Sequence, residues 1–389
     1  MSSQPIIHAT ERIEAAEQAR NAVHFLFPPD DSSSLLVQKF AELFLSKMHA
    51  LQEYLGFNPD ARFYGMPDAH PLRKEADWNA ALPYGGAVRW ESGNDSFFPL
   101  QAKPNCCGIY VGEIEKPDRK RVDACLQQLF VDPPSAACGS ERLQIIPDIC
   151  SGNHFVNVYH EEEGDRWFAF VHCDTPELKD GDSQRIGLYY DRLNPSLRAI
   201  MQRLETPWGS FPYVAGHACS VYLDQCRHAN AFANEKRRVI AEYLFGSHRT
   251  VFSDTHQGVV PGFGFTLGCY ALPKEESPPI PLTVGPEEDA FFVSPTNGSL
   301  DDKWNILPHG TGVLFPEISE VYNAFYDREE KAVYATILHN EGVQTIDGVA
   351  SFSRTFKTER GVERLVEEGE VRNCRRLSFE FGISGTGKG

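Results

Sequence analysis

The stretch Ser151-Gly-Asn-His-Phe-Val-Asn-Val-Tyr159, followed shortly by Trp167-Phe-Ala-Phe-Val-His172, decides how the rest of the chain is read. A small-residue turn feeds directly into one short β-type run, and a second apolar run closes on a histidine. Working outward, similar runs lie at 291–294, 332–338 and 377–381. Between them, apolar residues fall at helical spacing. Leu36, Phe40, Leu43, Phe44, Met48, Leu51 and Leu55 predict a helix over 33–54 that stops at Gly56. Tyr222, Cys226, Ala229, Phe232 and Ala233 predict another over 219–245, carrying the basic cluster Lys236, Arg237, Arg238. Shorter helices are expected near 195–204, 316–326 and 359–370. Strands and helices mix without a regular βαβ rhythm, so the pattern favours α+β with a mixed or antiparallel sheet over a doubly wound fold. Glycine and proline are spread through the chain with no linker among them. One large domain over 1–389 is expected, opened by a helical segment at about 9–56.

Length and composition bound the function. The 389 residues are 41% hydrophobic and 23% charged, which suits a globular enzyme and is too apolar for a disordered chain. No apolar stretch reaches membrane-spanning length. Glu11, Glu14 and Glu17 occupy the opening, without a basic region and apolar core behind it, so it does not read as a signal peptide. A cytoplasmic protein with ten reduced cysteines is the expectation. The net charge of −17 disfavours coating by nucleic acid through bulk charge, leaving only a local basic groove.

Two familiar motifs fail. Gly382-Ile-Ser-Gly-Thr-Gly-Lys-Gly389 approaches a phosphate-binding P-loop, but Gly389 stands where Ser or Thr must hold magnesium, and no helix follows. Gly262-Phe-Gly-Phe-Thr-Leu-Gly268 hints at a dinucleotide fingerprint, yet Pro273 leaves little room for the helix that motif needs. Zinc-protease and zinc-ribbon spacings are also missing.

What remains is a set of separated histidines and one cysteine: Cys107, His154 at a strand mouth, His172 at a strand end, His256 and His309. Singly, His154 is better read as satisfied by a turn carbonyl, and each of the others is a weak signal. Cysteine with several imidazoles suits a borderline metal such as manganese, zinc or iron.

Taken together, these segments resemble the RtcB-type RNA ligases, in that family's order from about residue 61 to 389. Met66-Pro-Asp-Ala-His-Pro71 is similar to its M-P-D-x-H-P opening, and Pro83-Tyr-Gly-Gly-Ala-Val88 to its P-I-G-G stretch. Asn105-Cys-Cys-Gly108 resembles the element holding a metal-binding cysteine, Ser151-Gly-Asn-His-Phe155 the G-G-N-H-F element, and His309-Gly-Thr-Gly312 the H-G-A-G-R element. The resemblance implies metal ligands Cys107, His154, His172 and His256, with Cys106 as the alternative cysteine if the match slips by one. It implies His309 as the histidine that becomes guanylylated. It further implies guanylate contacts from Asn153, Lys388 and Ser299. The activity implied joins RNA ends bearing a 2′,3′-cyclic phosphate or 3′-phosphate to 5′-hydroxyl ends, with GTP as co-substrate and one or two manganese ions. Candidate RNA contacts are Arg237, Arg238 and Arg354. An accessory partner is left open.

The chain also departs from the family pattern. Pro104 stands where a metal-binding aspartate is expected three residues before the cysteine, Val313 replaces the arginine closing H-G-A-G-R, and Gln257 replaces an asparagine. After His172 the chain reads Cys173-Asp174-Thr-Pro in place of the family's S-G-S-R-G. Cys173 and Asp174 are replacement ligands or, in the simpler reading, a solvated turn. Two alternatives to ligation follow: a metal-dependent nucleotidyltransferase or hydrolase on the same scaffold, and an inactive RNA-binding relative.

Overall fold

The computed structural model describes residues 9–182, 185–192, 194–275, 278–285, 287–296 and 300–384. Nine strands position the site: β1 (Cys107–Ile114), β2 (Phe155–Glu161), β3 (Arg166–Cys173), β4 (Arg249–Gln257), β5 (Cys269–Pro273), β6 (Ile280–Thr283), β7 (Ala290–Pro295), β8 (Trp304–Pro308) and β9 (Val371–Ser384). Seven form one sheet in the order β4-β1-β3-β2-β9-β7-β6, with every neighbouring pair antiparallel. The remaining two, β5 and β8, pair antiparallel with each other. The α+β expectation holds.

Side chains alternate across a strand, so each face of the large sheet has its own core. Ile109 and Val111 of β1 join Phe155 and Tyr159 of β2 and Phe168 and Phe170 of β3 on one face. The β5–β8 pair covers that face through Tyr270, Leu272 and Leu307. Tyr110, Val156, Val171 and Cys173 point the other way, into a core shared with the long helices. A strand buried on both sides loses the polar-out alternation. This explains why 167–172 reads as a nearly continuous apolar run.

Helix α1 (Ser32–Tyr54) starts where Asp31 Oδ1 accepts the Ser34 N–H at 2.9 Å, an N-cap that satisfies one of the donors the helix leaves open. It buries Leu36, Phe40, Phe44, Met48 and Leu51, as the periodicity predicted. Helix α2 (His217–Phe245) packs beneath the large sheet through Tyr222, Cys226, Ala229, Phe232 and Ala233. Another helix spans Ala9–Asn21.

Two helix expectations are corrected. Residues 316–326 form strand Ile318–Asp327, which pairs antiparallel with Ala332–His339. Pro316 and the Leu314–Phe315 pair resemble a helix start, but the hairpin partner satisfies the backbone and Ile318 is buried against Phe40 and Trp78. The helix at 195 ends at Ile200, and Gln202–Thr206 pairs as a strand with Gly209–Ala215. No described helix is long and apolar enough to cross a membrane. All ten cysteines are free thiols. Within the glycine-rich segment 262–268, Gly264–Leu267 is a strand paired to Gly86–Arg89 and no helix follows it, so it is not a nucleotide-binding turn.

Candidate functional site

Strand register brings the cysteine and the first histidine together. Ile109 pairs with His172, so Cys107, two residues before Ile109, shares a sheet face with His172. Phe155 pairs with His172 from the other side, which sets His154 at the same sheet end. His256 arrives differently. Thr255 opposes Gly108 and Gln257 opposes Cys107, leaving His256 as the extra residue of a β-bulge that re-aims its ring. Gly108 is needed at this junction, since a Cβ there would sit 2.2 Å from the Asp254 carbonyl oxygen.

The donor atoms converge. Cys107 Sγ lies 3.0 Å from His172 Nε2 and 3.5 Å from His154 Nε2, and His172 Nε2 lies 3.0 Å from His256 Nε2. The donors of Cys107, His172 and His256 all fall within 4.8 Å of one another. Ligand bonds of about 2.0–2.3 Å place neighbouring donors roughly 3–4.5 Å apart, the range seen here.

Proton accounting points to a cation. His172 Nδ1 faces the Asn153 carbonyl oxygen at 3.1 Å, and His154 Nδ1 faces the Asp148 carbonyl oxygen at 3.2 Å and its carboxylate Oδ2 at 2.9 Å. These oxygens only accept, so Nδ1 carries a proton in both rings, and in the neutral His172 ring Nε2 presents a lone pair to the centre. His256 is fully buried and its Nδ1 has no hydrogen-bond partner among the described residues. Burial, then the neighbouring imidazoles, push His172 and His256 well below the ordinary histidine range, so both stay neutral ligands. Burial acts the same way on His154, but the adjacent Cys107 sulfur and Asp148 carboxylate outweigh it and lift it to about 10. A thiol and the two lone-pair nitrogens of His172 and His256 packed this closely fit a divalent metal, and histidines fixed by a carboxylate or carbonyl on the far nitrogen are the usual metal-site arrangement.

His309 completes the group. Its ring stacks on His256 at 4.2 Å between centroids and 24° between planes. Its Nδ1 lies 2.8 Å from Asp68 Oδ2 and 2.6 Å from the Gly268 carbonyl oxygen. Nδ1 therefore holds the proton and Nε2 the lone pair. Gly312 lets this loop approach Asp68: its φ is +82°, and a Cβ would meet the Asp68 carbonyl oxygen at 2.4 Å.

The chain matches no protein-family model, and no curated protein is detectably similar to it. The chemistry of this site is read from its own geometry.

Five residues singled out in the sequence, Cys107, His154, His172, His256 and His309, thus gather at one sheet end. Cys106 is turned away into the helix-side core, with a left-handed φ of 57°. Asn153 is exposed and contributes its carbonyl oxygen to His172. Ser299 and Lys388 lie outside the described residues. Arg237 is corrected: it is fully buried and donates to the carbonyl oxygens of Cys106 (2.9 Å) and Cys173 (3.1 Å), so it cannot meet RNA. Arg238 pairs with Glu235 and Glu242 along its own helix, and Arg354 is exposed in a loop. Asp174 is corrected too, being 5% exposed rather than part of a solvated turn. Sequence reading passed over Asp68 and Asp148. Asp68 lay inside a quoted motif. Asp148 offered no local signal, and only the turn at 148–154 brings it to His154.

Proposed function

We propose that the protein is a manganese- and GTP-dependent RNA ligase of the RtcB type, acting through a guanylylated His309. The observation that carries this reading is a histidine whose proton is held away by Asp68 and Gly268 while its ring lies against a metal-type cluster. Cys107, His172 and His256 would hold the ion, with His154 beside them. A divalent ion there supplies charge neutralisation for a triphosphate. His309 Nε2 forms a bond to the α-phosphorus of GTP as the bond to the β-phosphate oxygen breaks and pyrophosphate leaves. Asp68 then faces a ring that has become cationic, and its carboxylate stabilises that charge. An RNA 3′-phosphate oxygen displaces His309 from the phosphorus, and the 5′-hydroxyl attacks the activated 3′-phosphate, expelling GMP.

Incubation with α-labelled GTP and manganese tests the reading. Acid-labile, base-stable label should appear on the wild-type chain and vanish in His309→Ala at unchanged metal content. Labelling that survives this substitution sinks the assignment. Val313 is buried where the family pattern has an arginine, so one phosphate-steadying charge is missing from that position. This favours, as a second reading, a guanylylating enzyme or hydrolase that does not seal ends. Joining of 3′-phosphate to 5′-hydroxyl RNA separates the two.

A further inference from the structure

Tyr84 stands in Pro83-Tyr-Gly-Gly86, where the P-I-G-G pattern has isoleucine. Its backbone is tied to the loop that carries Asp68. The His70 N–H donates to the Tyr84 carbonyl oxygen at 3.2 Å, and a Cβ on Gly85, whose φ is +89°, would strike Ala69 Cα at 2.2 Å. The Tyr84 ring lies edge-on to two histidines, 5.1 Å from His70 and 6.4 Å from His309 between centroids, the second at 88°. Gly268 makes room for its far end. A Cβ on Gly268 would lie 2.8 Å from Tyr84 Cε1 and Cζ and 3.1 Å from Oη. The same glycine's carbonyl oxygen accepts the His309 Nδ1–H, so the phenol hydroxyl lies at the residue that orients His309. Tyr84 is only 6% exposed, and its hydroxyl makes no hydrogen bond among the described residues. Burial, then the Cys107 sulfur and the Asp68 carboxylate, push its pKa well above the ordinary tyrosine value, so the hydroxyl keeps its proton and is an idle donor.

We propose that Tyr84 is a catalytic residue whose hydroxyl donates a hydrogen bond to a non-bridging oxygen of the GTP α-phosphate while His309 attacks. The proposal rests on the guanylyl-transfer reading of His309 and names a second group that meets the substrate. In that step the His309 Nε2–phosphorus bond forms and the bond to the pyrophosphate oxygen breaks. Charge is spread over the non-bridging oxygens, where a fixed donor in a water-poor site acts most strongly. The phenol keeps its proton throughout. It takes over part of what an arginine at Val313 would do. A neutral donor also fits this place, because a cation so near Asp68 would draw the carboxylate away from His309.

Single-turnover labelling by α-labelled GTP with manganese tests it. Tyr84→Phe removes one oxygen and should slow labelling about 10- to 100-fold, the range for losing a hydrogen bond to a charged group. GTP affinity should change less than the rate, and manganese content should not change. The two α-thio diastereomers of GTP give a second readout, since sulfur accepts hydrogen bonds poorly. The wild type should label more slowly with the diastereomer whose sulfur faces the hydroxyl, and that preference should shrink in Tyr84→Phe. A purely structural role would leave the preference where it was. A wild-type rate in Tyr84→Phe, or an undiminished diastereomer preference, overturns the proposal while His309 remains the nucleophile. Loss of manganese or a lowered unfolding temperature in Tyr84→Phe makes the hydroxyl a structural group and overturns it as well. A wild type that holds manganese yet takes no label removes the His309 reading and this proposal together.

Discussion

The Asp68 carboxylate is fully buried, and among the described residues only its Oδ2 has a partner, the Nδ1–H of His309. A buried carboxylate with so few donors is costly unless it answers a positive charge, and under the proposed mechanism the guanylylated His309 ring would supply one. Asp68→Asn keeps the shape and removes that charge, while Gly268 still holds the tautomer. Guanylylation by labelled GTP should slow about 100-fold, less than the roughly 10⁴-fold loss when a catalytic histidine's carboxylate partner also sets its tautomer. Metal content should not change. Elsewhere, Lys47 is buried in α1 with its Nζ on Ala80 O (2.6 Å) and Gln101 Oε1 (2.8 Å) and no carboxylate partner among the described residues. Burial pulls its pKa down to about 7. The unfolded chain therefore binds this proton more tightly than the folded one. Stability should rise as pH climbs from about 7 toward the ordinary lysine value near 10.4. Urea unfolding of wild type and Lys47→Met across this range checks the sign, since the difference between them should shift toward wild type with rising pH.

At the scale of elements, Arg237 of α2 acts as a clamp behind the site. Its guanidinium joins the carbonyl oxygens of Cys106 and Cys173 to the Thr255 hydroxyl at 3.2 Å, gripping the ends of β1, β3 and β4 next to Cys107, His172 and His256. Replacing it with alanine leaves buried acceptors without donors, each costing about 1–3 kcal/mol. Arg237→Ala should lose roughly 3 kcal/mol or more in denaturant unfolding and bind manganese more weakly. A role in RNA binding instead predicts a stable, metal-loaded protein with weakened RNA affinity. The loop after β8 gives a contrasting case. Gly312→Ala places a Cβ against the Asp68 backbone in a left-handed conformation. It should displace Asp68 from His309 and depress guanylylation while both metal content and the β1–β3–β4 junction persist. Equal loss of metal and labelling would show that loop and metal cluster are not separable.

Across the whole molecule, the candidate ligands come from separate segments: Cys107 from β1, His172 from β3 and His256 from β4, with His154 beside them on the turn before β2. An ion bound there would tie three strand ends together and would bind only the folded chain. Stabilisation follows mass action, about 2.7 kcal/mol at a free manganese concentration 100 times Kd. Chelation should lower the unfolding temperature, and manganese should restore it equally in wild type and His309→Ala. A chelator-insensitive transition in protein shown to contain metal would contradict the arrangement.

Much of this was legible in the sequence because it is written in local pattern. The period of α1 and α2, the apolar runs of β2 and β3, and the histidines at strand mouths are properties of neighbouring residues, and they came through. The strand at 318–327 did not, since a short apolar run takes its state from whichever partner can satisfy its backbone. Arg237 looked like a nucleic-acid contact because burial is not a local property; Lys236 beside it is buried as fully, and of the three only Arg238 is turned outward. Asp148 and Asp174 reach His154 through a turn and a strand register, neither of which leaves a mark in residue spacing. Residue identity determined which donors the chain possesses. Packing of β1, β3 and β4 against α2 decided which of them share a centre, because lone pairs and charges meet only where register and burial bring them within a few ångströms.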